Sequence, residues 1–264
     1  MIRPAAIAAA LVMAAPAFAQ DEPRFCPNRP DLSSSGCTTE PGRVQFEWSA
    51  FDWQRDDSQD TREDSFLAAD VLARIGVGAH TEVQLGWSPA GRVRTRDLAT
   101  GAAETTRGVS DVRVGVRQGF GPPDGDGWLA GAEGYVTVPV GRTPVGAGDW
   151  GAGAIIPVGY TSGPWLFELT GEIDAAVNES GHGRHLAYSG IAEVARDLGT
   201  SVTLAAELMV AQDDDPDRAT TQVLGAASVA WQPTKRFQLD LLAAAGLNRD
   251  TPDFRLVTGG AILF

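Results

Sequence analysis

The sequence predicts an all-β fold, an antiparallel transmembrane β-barrel of about 12 strands, and three observations predict it. Apolar residues recur at every second position in twelve separate stretches after residue 43. The connections between those stretches alternate between long and short. The chain then stops on Phe264, with Ile262, Gly260, Thr258, Leu256 and Phe254 stepping back from it at alternate positions. Period two puts successive side chains on opposite faces of a strand. Backbone amides in hydrocarbon must all be paired, so a spanning sheet closes on itself.

The N-terminal element is expected to be a leader. After Arg3, residues 5–19 read AAIAAALVMAAPAFA, a short apolar core ending in Ala17-Phe18-Ala19 before Gln20. That is the layout of a secretory signal peptide over residues 1–19. No later stretch approaches the roughly 18 apolar residues of a spanning helix. Residues 20–42 follow as an extension that carries both cysteines, Cys26 and Cys37, in FCPNRPDLSSSGC. In an oxidising compartment an isolated pair at this spacing is most simply a disulfide stapling a loop. A metal site calls for more ligands and a redox pair for CxxC, and neither pattern is present.

The barrel is assigned to residues 43–264. Its first row is Val44, Phe46, Trp48 and Ala50 against Gln45, Glu47 and Ser49; its second is Leu67, Ala69, Val71, Ala73 and Ile75 against Asp70 and Arg74. Val83, Leu85 and Trp87 oppose Glu82 and Gln84, and Val112, Val114 and Val116 oppose Asp111, Arg113 and Arg117. Rows starting at Trp128, Trp150, Trp165, Leu186, Val202, Val223, Phe237 and Phe254 continue the pattern. The connections WQRDDSQDTRED, SPAGRVRTRDLATGAAETTRG, GRTPVGAGD and AQDDDPDRAT are long, whereas GVGAH, GPPDGDG, TSG, RDLG and QPTK are short. Short periplasmic turns alternating with longer outer loops mark an outer-membrane barrel. Phe120, Trp128, Tyr160, Trp165, Trp231, Phe237 and Phe264 then fall on the lipid-facing parity at the periplasmic rim, with Trp87 and Trp150 at the outer rim, as an aromatic girdle. A soluble sandwich would also alternate, but its outer row would be rich in lysine, which this chain almost lacks.

Inward-facing charge is then the chemical content of the molecule. The candidate lumen-lining residues are Asp111, Arg113, Arg117, Glu133, Glu168, Glu172, Asp174 and Glu207. Acids outnumber bases among the inward positions, in keeping with a formal net charge of -13. An acidic passage favours cations or neutral solutes. The competing reading is that Asp111, Arg113, Arg117 and Glu133 neutralise one another and fill a narrow barrel. The acidity of the chain argues against nucleic acid as a partner, because phosphates call for a positive surface. Asp213, Asp214, Asp215 and Asp217 lack a recognised calcium-loop spacing and read as a hydrated outer loop, so no metal or cofactor is expected. Nor is catalysis. His185 and Ser189 share a strand and an inward parity, but four residues of strand span about 13 Å, too far for direct proton transfer.

Three stretches carry a family resemblance. Gly108-Val109-Ser110-Asp111-Val112-Arg113-Val114-Gly115-Val116-Arg117 is similar to a G-x-x-D-x-x-x-G-x-K strand of the family called MetA-pathway of phenol degradation, with Arg117 in place of lysine. Thr137-Val138-Pro139-Val140-Gly141 with Gly146-Ala147-Gly148-Asp149-Trp150 resembles its P-x-G...G-x-G-x-D segment, and residues 246–256 resemble its final hairpin. The resemblance implies an outer-membrane barrel that moves small hydrophobic or aromatic compounds. It carries no catalytic residues over, and it offers no counterpart for the Cys26–Cys37 extension. The expectation is thus a monomeric outer-membrane channel or transporter for small molecules, bathed in outer-membrane lipid and delivered through recognition of Phe264 by the barrel-assembly machinery. The alternative is a closed barrel with a structural or interaction role. Whether residues 20–42 plug the lumen or hang in the periplasm stays open at this level.

Overall fold

The computed structural model describes residues 23–122 and 126–264, so the leader expected over residues 1–19 lies outside the described residues. Fourteen strand segments form one antiparallel sheet. They are β1 (Val44–Asp57), β2 (Thr61–Gly78), β3 (Thr81–Trp87), β4 (Ala90–Asp97), β5 (Ala103–Gly108), β6 (Val112–Phe120), β7 (Gly127–Val138), β8 (Gly151–Ser162), β9 (Trp165–Val177), β10 (Arg184–Leu198), β11 (Val202–Asp213), β12 (Thr220–Thr234), β13 (Phe237–Gly246) and β14 (Phe254–Leu263). β1 pairs with both β14 and β2, which closes the sheet. Phe264 completes the seam, its amide donating to the Val44 carbonyl at 2.9 Å.

Two of the barrel's staves are broken. β3 pairs with the C-terminal half of β2 and β4 with its N-terminal half, so β3 and β4 are one stave interrupted at Ser88 and Pro89. Proline has no amide to give the ladder, which suits it to such a break. β6 pairs with β3 and β5 with β4, so β5 and β6 form a second stave interrupted over residues 109–111. The closed barrel therefore has twelve staves, the number the alternation predicts.

Two stretches expected to be long outer loops are strand instead. β1 runs on to Asp57 and β2 begins at Thr61, leaving only residues 58–60 as a turn. Most of SPAGRVRTRDLATGAAETTRG forms the β4–β5 hairpin. Charge density made both stretches look like loops, yet their charges simply stand on strand faces beyond the apolar belt. A second correction concerns facing. Ala50 and Ala69 sit opposite each other and both drop out of the β1–β2 pairing, and Ala69 has φ 55°. Beyond this bulge the parity changes, because an extra residue flips every side chain that follows. Phe51, Trp53 and Phe66 thus share the outer face, and Leu67 turns away from it.

The molecule is inside out relative to a soluble domain. Val77, Val116, Ile156, Leu169 and Ile173 lie on the exposed outer face, as do Trp128, Tyr160, Trp165, Trp231 and Phe264 at the end with the short turns and Trp87 and Trp150 at the other. Phe237, also expected there, is half-buried because its ring packs 6.2 Å from Trp48. The buried positions are largely polar: Gln45, Glu47, Arg74, Glu82, Arg117, Glu133 and Gln238 are almost fully enclosed. A small apolar cluster of Leu224, Leu242, Ala244 and Val257 also faces inward, with Leu32 packed on it. Leu32 comes from the N-terminal extension.

Candidate functional site

The extension over residues 23–43 folds into the lumen. It has no regular secondary structure, and many of its polar groups are met by the barrel wall instead. The Cys26–Cys37 disulfide, with Cα atoms 6.2 Å apart, ties its two limbs side by side. Arg24 adds a hydrogen bond from Nη1 to the Thr38 carbonyl at 2.9 Å. At the apex, Asp31 accepts from Ser228 Oγ at 2.7 Å and Leu32 packs on the inward apolar cluster.

Each side of the wall grips this loop. Arg74 donates to the carbonyls of Cys26 at 2.7 Å and Cys37 at 2.8 Å, while pairing with Glu47 at 3.0 Å and Glu82 at 2.8 Å. Glu82 also accepts the Thr39 amide at 2.7 Å. Arg117 reaches Asn28 Oδ1 and the Ser35 carbonyl, both at 2.9 Å, and Ser34 Oγ at 2.6 Å. Opposite them, Glu207 accepts the amides of Leu32 at 2.9 Å and Ser33 at 2.8 Å, and Ser33 Oγ donates to Glu193. Arg29 donates to Ser49 Oγ at 2.6 Å and Asp240 at 2.9 Å. Buried polar groups are costly unless paired, so this continuous set of bonds is what lets an irregular segment occupy a barrel.

Small residues permit the approach. A side chain added at Gly119 would meet the Gly36 carbonyl oxygen at 2.8 Å, and one at Gly131 would meet the Gly36 Cα at 3.0 Å. Backbone therefore lies on backbone, with no room for a methyl group between wall and loop.

The predicted lining residues divide by role. Glu133 pairs with Arg113 and Arg117, each at 2.6 Å, so three of the four residues expected to neutralise one another do so. Asp111 does not join them. It lies in the break between β5 and β6 and accepts the amides of Gly141 at 2.8 Å, Ala147 at 2.7 Å and Gly148 at 3.2 Å, pinning the outer connection between β7 and β8. Arg113 stacks 3.7 Å over the Tyr135 ring, whose hydroxyl donates to Glu172 at 2.7 Å and also contacts Asp174. Glu168, Glu193 and Glu207 stand directly opposite one another on β9, β10 and β11, forming a transverse carboxylate row under the loop apex. Glu193 was legible as inward-facing by parity, but its place in that row depends on strand register.

A cavity of about 260 Å³ lies between the loop and the wall, lined by Leu32, Ile191, Met209, Leu242 and Val257 and by the acids Asp31, Asp52, Asp70 and Glu172. Arg29 and Arg255 also reach it, but Arg255 is held by Asp52 at 2.6 Å and Arg29 by Asp240. A second cavity of about 250 Å³ shares Glu172, Ser189 and Met209 with the first and continues to Asp213 and Gln222 near the outer rim. His185 faces inward at that rim, between Asp213 at 2.7 Å and Asp215 at 3.3 Å, and Asp215 is itself fixed by the amides of Glu179 and Asp217.

A model of the family described as "Putative MetA-pathway of phenol degradation" matches residues 27–264. No curated protein sequence matches the chain. Among solved structures, an outer-membrane channel from Pseudomonas putida F1 is similar at TM-score 0.68 and 14% identity, over 89% of this chain and 100% of that one. The KdgM porin, solved in complex with disordered oligogalacturonate, is similar at TM-score 0.51 and 7% identity, over 84% of this chain and 99% of its own. The NanC porin is similar at TM-score 0.50 and 10% identity, over 84% and 99%. At such identities the likeness is one of fold, and the fold is that of barrels in the bacterial outer membrane.

Proposed function

The chain belongs to the MetA-pathway of phenol degradation family, and from that premise we propose that it is an outer-membrane channel for small hydrophobic or aromatic molecules, entered from outside through an acidic vestibule and held closed below by its own N-terminal loop. The observation that carries this reading is the pair of adjoining cavities above the loop apex, which share Glu172, Ser189 and Met209 in their linings. The lining offers the apolar side chains of Leu32, Ile191, Met209, Leu242 and Val257 to a ring or short hydrocarbon. The carboxylates of Asp70 and Glu172 in that lining are hydrogen-bonded by Ser88 and Tyr135 and form no ion pair among the described residues, so they favour neutral or cationic solutes over anions. Small-molecule sites generally combine an apolar wall with a few placed polar groups in this way.

Passage past the apex calls for movement of the loop. The staple keeps the two limbs together, so the loop would move as one body on the bonds it makes to Arg74, Arg117 and Glu207. The family supplies the aromatic class of cargo, and the mixed lining is compatible with it. No catalytic step enters this account, and the relatives of similar fold are channels and porins.

A closed barrel without a pore is the second reading, favoured by the density of bonds between loop and wall. Conductance of the refolded full-length protein in planar bilayers, with and without added phenol, decides between them. Small, cation-selective openings that phenol blocks support the channel. A silent protein whose folding is confirmed by heat-modifiable migration, and which stays silent once the loop is released, sinks it.

A further inference from the structure

We propose that the outer face of the β4–β5 hairpin is a binding surface for phosphate groups carried by a lipid of the outer leaflet. The face is defined by register. Phe66 pairs with Arg92, Asp64 with Arg94 and Arg62 with Arg96, and Arg92 and Arg94 in turn pair with Arg107 and Thr105. Residues directly opposite share a face, so Arg92, Arg94, Arg96 and Arg107 join Phe66, Arg62 and, through the Arg55–Asp64 pairing, Arg55 on the outside of the barrel. The opposite face is covered, with Val145 of the β7–β8 connection packed beside Gly91 and Gly108.

Arginine outnumbers carboxylate on this face, where Arg55, Arg62, Arg92, Arg94, Arg96 and Arg107 stand against Asp57 and Asp64. Asp57 is taken by Arg62 at 2.9 Å and Asp64 by Arg55 at 2.9 Å, with the Trp53 indole also donating to Asp64. Glu63 and Glu104 pair with Thr95 and so lie on the other side. Arg92, Arg94, Arg96 and Arg107 are all exposed, and among the described residues none of them reaches a carboxylate. Arg92 stands opposite Arg107 and Arg96 opposite Arg62. Like charges facing each other across a ladder destabilise it, so the sheet retains a cost that an external anion would remove. This occurs in a chain whose formal net charge is -13.

Depth selects the anion. Phe66 is exposed and stacked on Phe51, and its cross-strand neighbour Trp53 packs on Phe254. These rings mark the top of the apolar belt on this side, because aromatic side chains gather at the membrane interface. Arg92 is level with Phe66, and Arg94 and Arg96 follow one and two outward-facing positions above it. The guanidinium groups therefore lie at headgroup height, facing lipid. Arginine is suited to phosphate because its planar fork donates two parallel hydrogen bonds to it, and basic clusters at a membrane surface attract anionic lipid.

The test uses full-length protein refolded in neutral detergent, titrated with bisphosphorylated lipid A and followed by native mass spectrometry. Wild type should bind at least about tenfold more tightly than Arg92→Gln/Arg94→Gln/Arg96→Gln/Arg107→Gln, with the single variants Arg94→Gln and Arg107→Gln in between. Arg196→Gln, which removes a guanidinium stacked on Trp165 at the opposite rim, should bind as wild type does. Dephosphorylated lipid A and inorganic phosphate alone should leave the protein unloaded. Equal binding by wild type and the quadruple variant overturns the proposal, as does equal binding of dephosphorylated lipid. Competition by inorganic phosphate at matched ionic strength also overturns it, by assigning the face to free anions. If the quadruple variant does not refold, the single variants decide: both binding as tightly as wild type overturns the proposal.

Discussion

Arg74 holds Cys37 to the barrel wall: its Nη2 donates to the Cys37 carbonyl at 2.8 Å, at a point where neither side chain touches solvent to any extent. The same guanidinium serves the Cys26 carbonyl, Glu47 and Glu82, so one side chain joins the two half-cystines to two wall strands. Removing it would leave two buried carboxylates without their cation. Arg74→Met should therefore cost about 3–5 kcal/mol, the usual penalty for breaking a buried ion pair from one side. Arg74→Lys should recover little, because an ammonium cannot present a planar fork to four acceptors. Urea titration followed by heat-modifiable migration measures both, and a wild-type midpoint in Arg74→Met would refute the assignment.

The staple acts on the loop rather than on the barrel. Cys26 and Cys37 are 11 residues apart, and a crosslink of that span restricts the released loop by about 3 kcal/mol in the chain-entropy account. In the double variant Cys26→Ser/Cys37→Ser the two limbs can leave the lumen separately. The expected result is longer and more frequent channel openings with an unchanged barrel melting transition. A fall in barrel stability with no change in openings would mean that the disulfide supports the wall instead.

Period two was legible because it is written in residue type: Val112, Val114 and Val116 announce a lipid face whatever the register. The barrel, its twelve staves and its aromatic rims follow from such rows. The Ala50–Ala69 bulge leaves no such mark, since two alanines in alternating rows look like any other pair, and so the facing of Leu67 was read the wrong way round. Asp111 was misjudged for a related reason. Its parity was right, but a break in the stave lets its carboxylate turn to the amides of Gly141 and Ala147 rather than to Arg113. The loop in the lumen has no periodicity at all. A signal existed in the wall, where Gly119 and Gly131 supply bare backbone opposite Gly36, but only register brings those three together.

Gly119 gives a steric test of the same loop. A Cβ there would lie 2.8 Å from the Gly36 oxygen and 3.4 Å from Thr38 Cγ2, contacts the wall cannot relieve because both partners are close-packed. Gly119→Val should push the segment around Gly36 off the wall and weaken the bonds from Arg117 to Ser34 and Ser35. Protease accessibility of residues 23–43 in the refolded variant should rise while the barrel core stays resistant. Unchanged protection would show that the wall yields instead.

The acidity of the vestibule makes the last prediction, and it separates the sign of the lining from the paired charges below it. Glu133 is neutralised by Arg113 and Arg117, so Glu133→Gln should disturb packing without changing selectivity in the direction a lost pore charge would. Asp70 and Glu172 line the upper cavity and are held, among the described residues, by the hydroxyl groups of Ser88 and Tyr135, so their charge is felt by an entering ion. Asp70→Asn/Glu172→Gln keeps the volume and most of the hydrogen bonding while removing two negative charges. In the stapleless background, where openings are expected to be frequent, this variant should shift the reversal potential in a salt gradient toward anions, and the shift should shrink at high salt as screening shortens the reach of each charge. If Glu133→Gln moves the reversal potential as far as the vestibule variant does, ions travel past the paired arginines, and the route runs along the β6–β7 wall instead of through the cavity beside Met209.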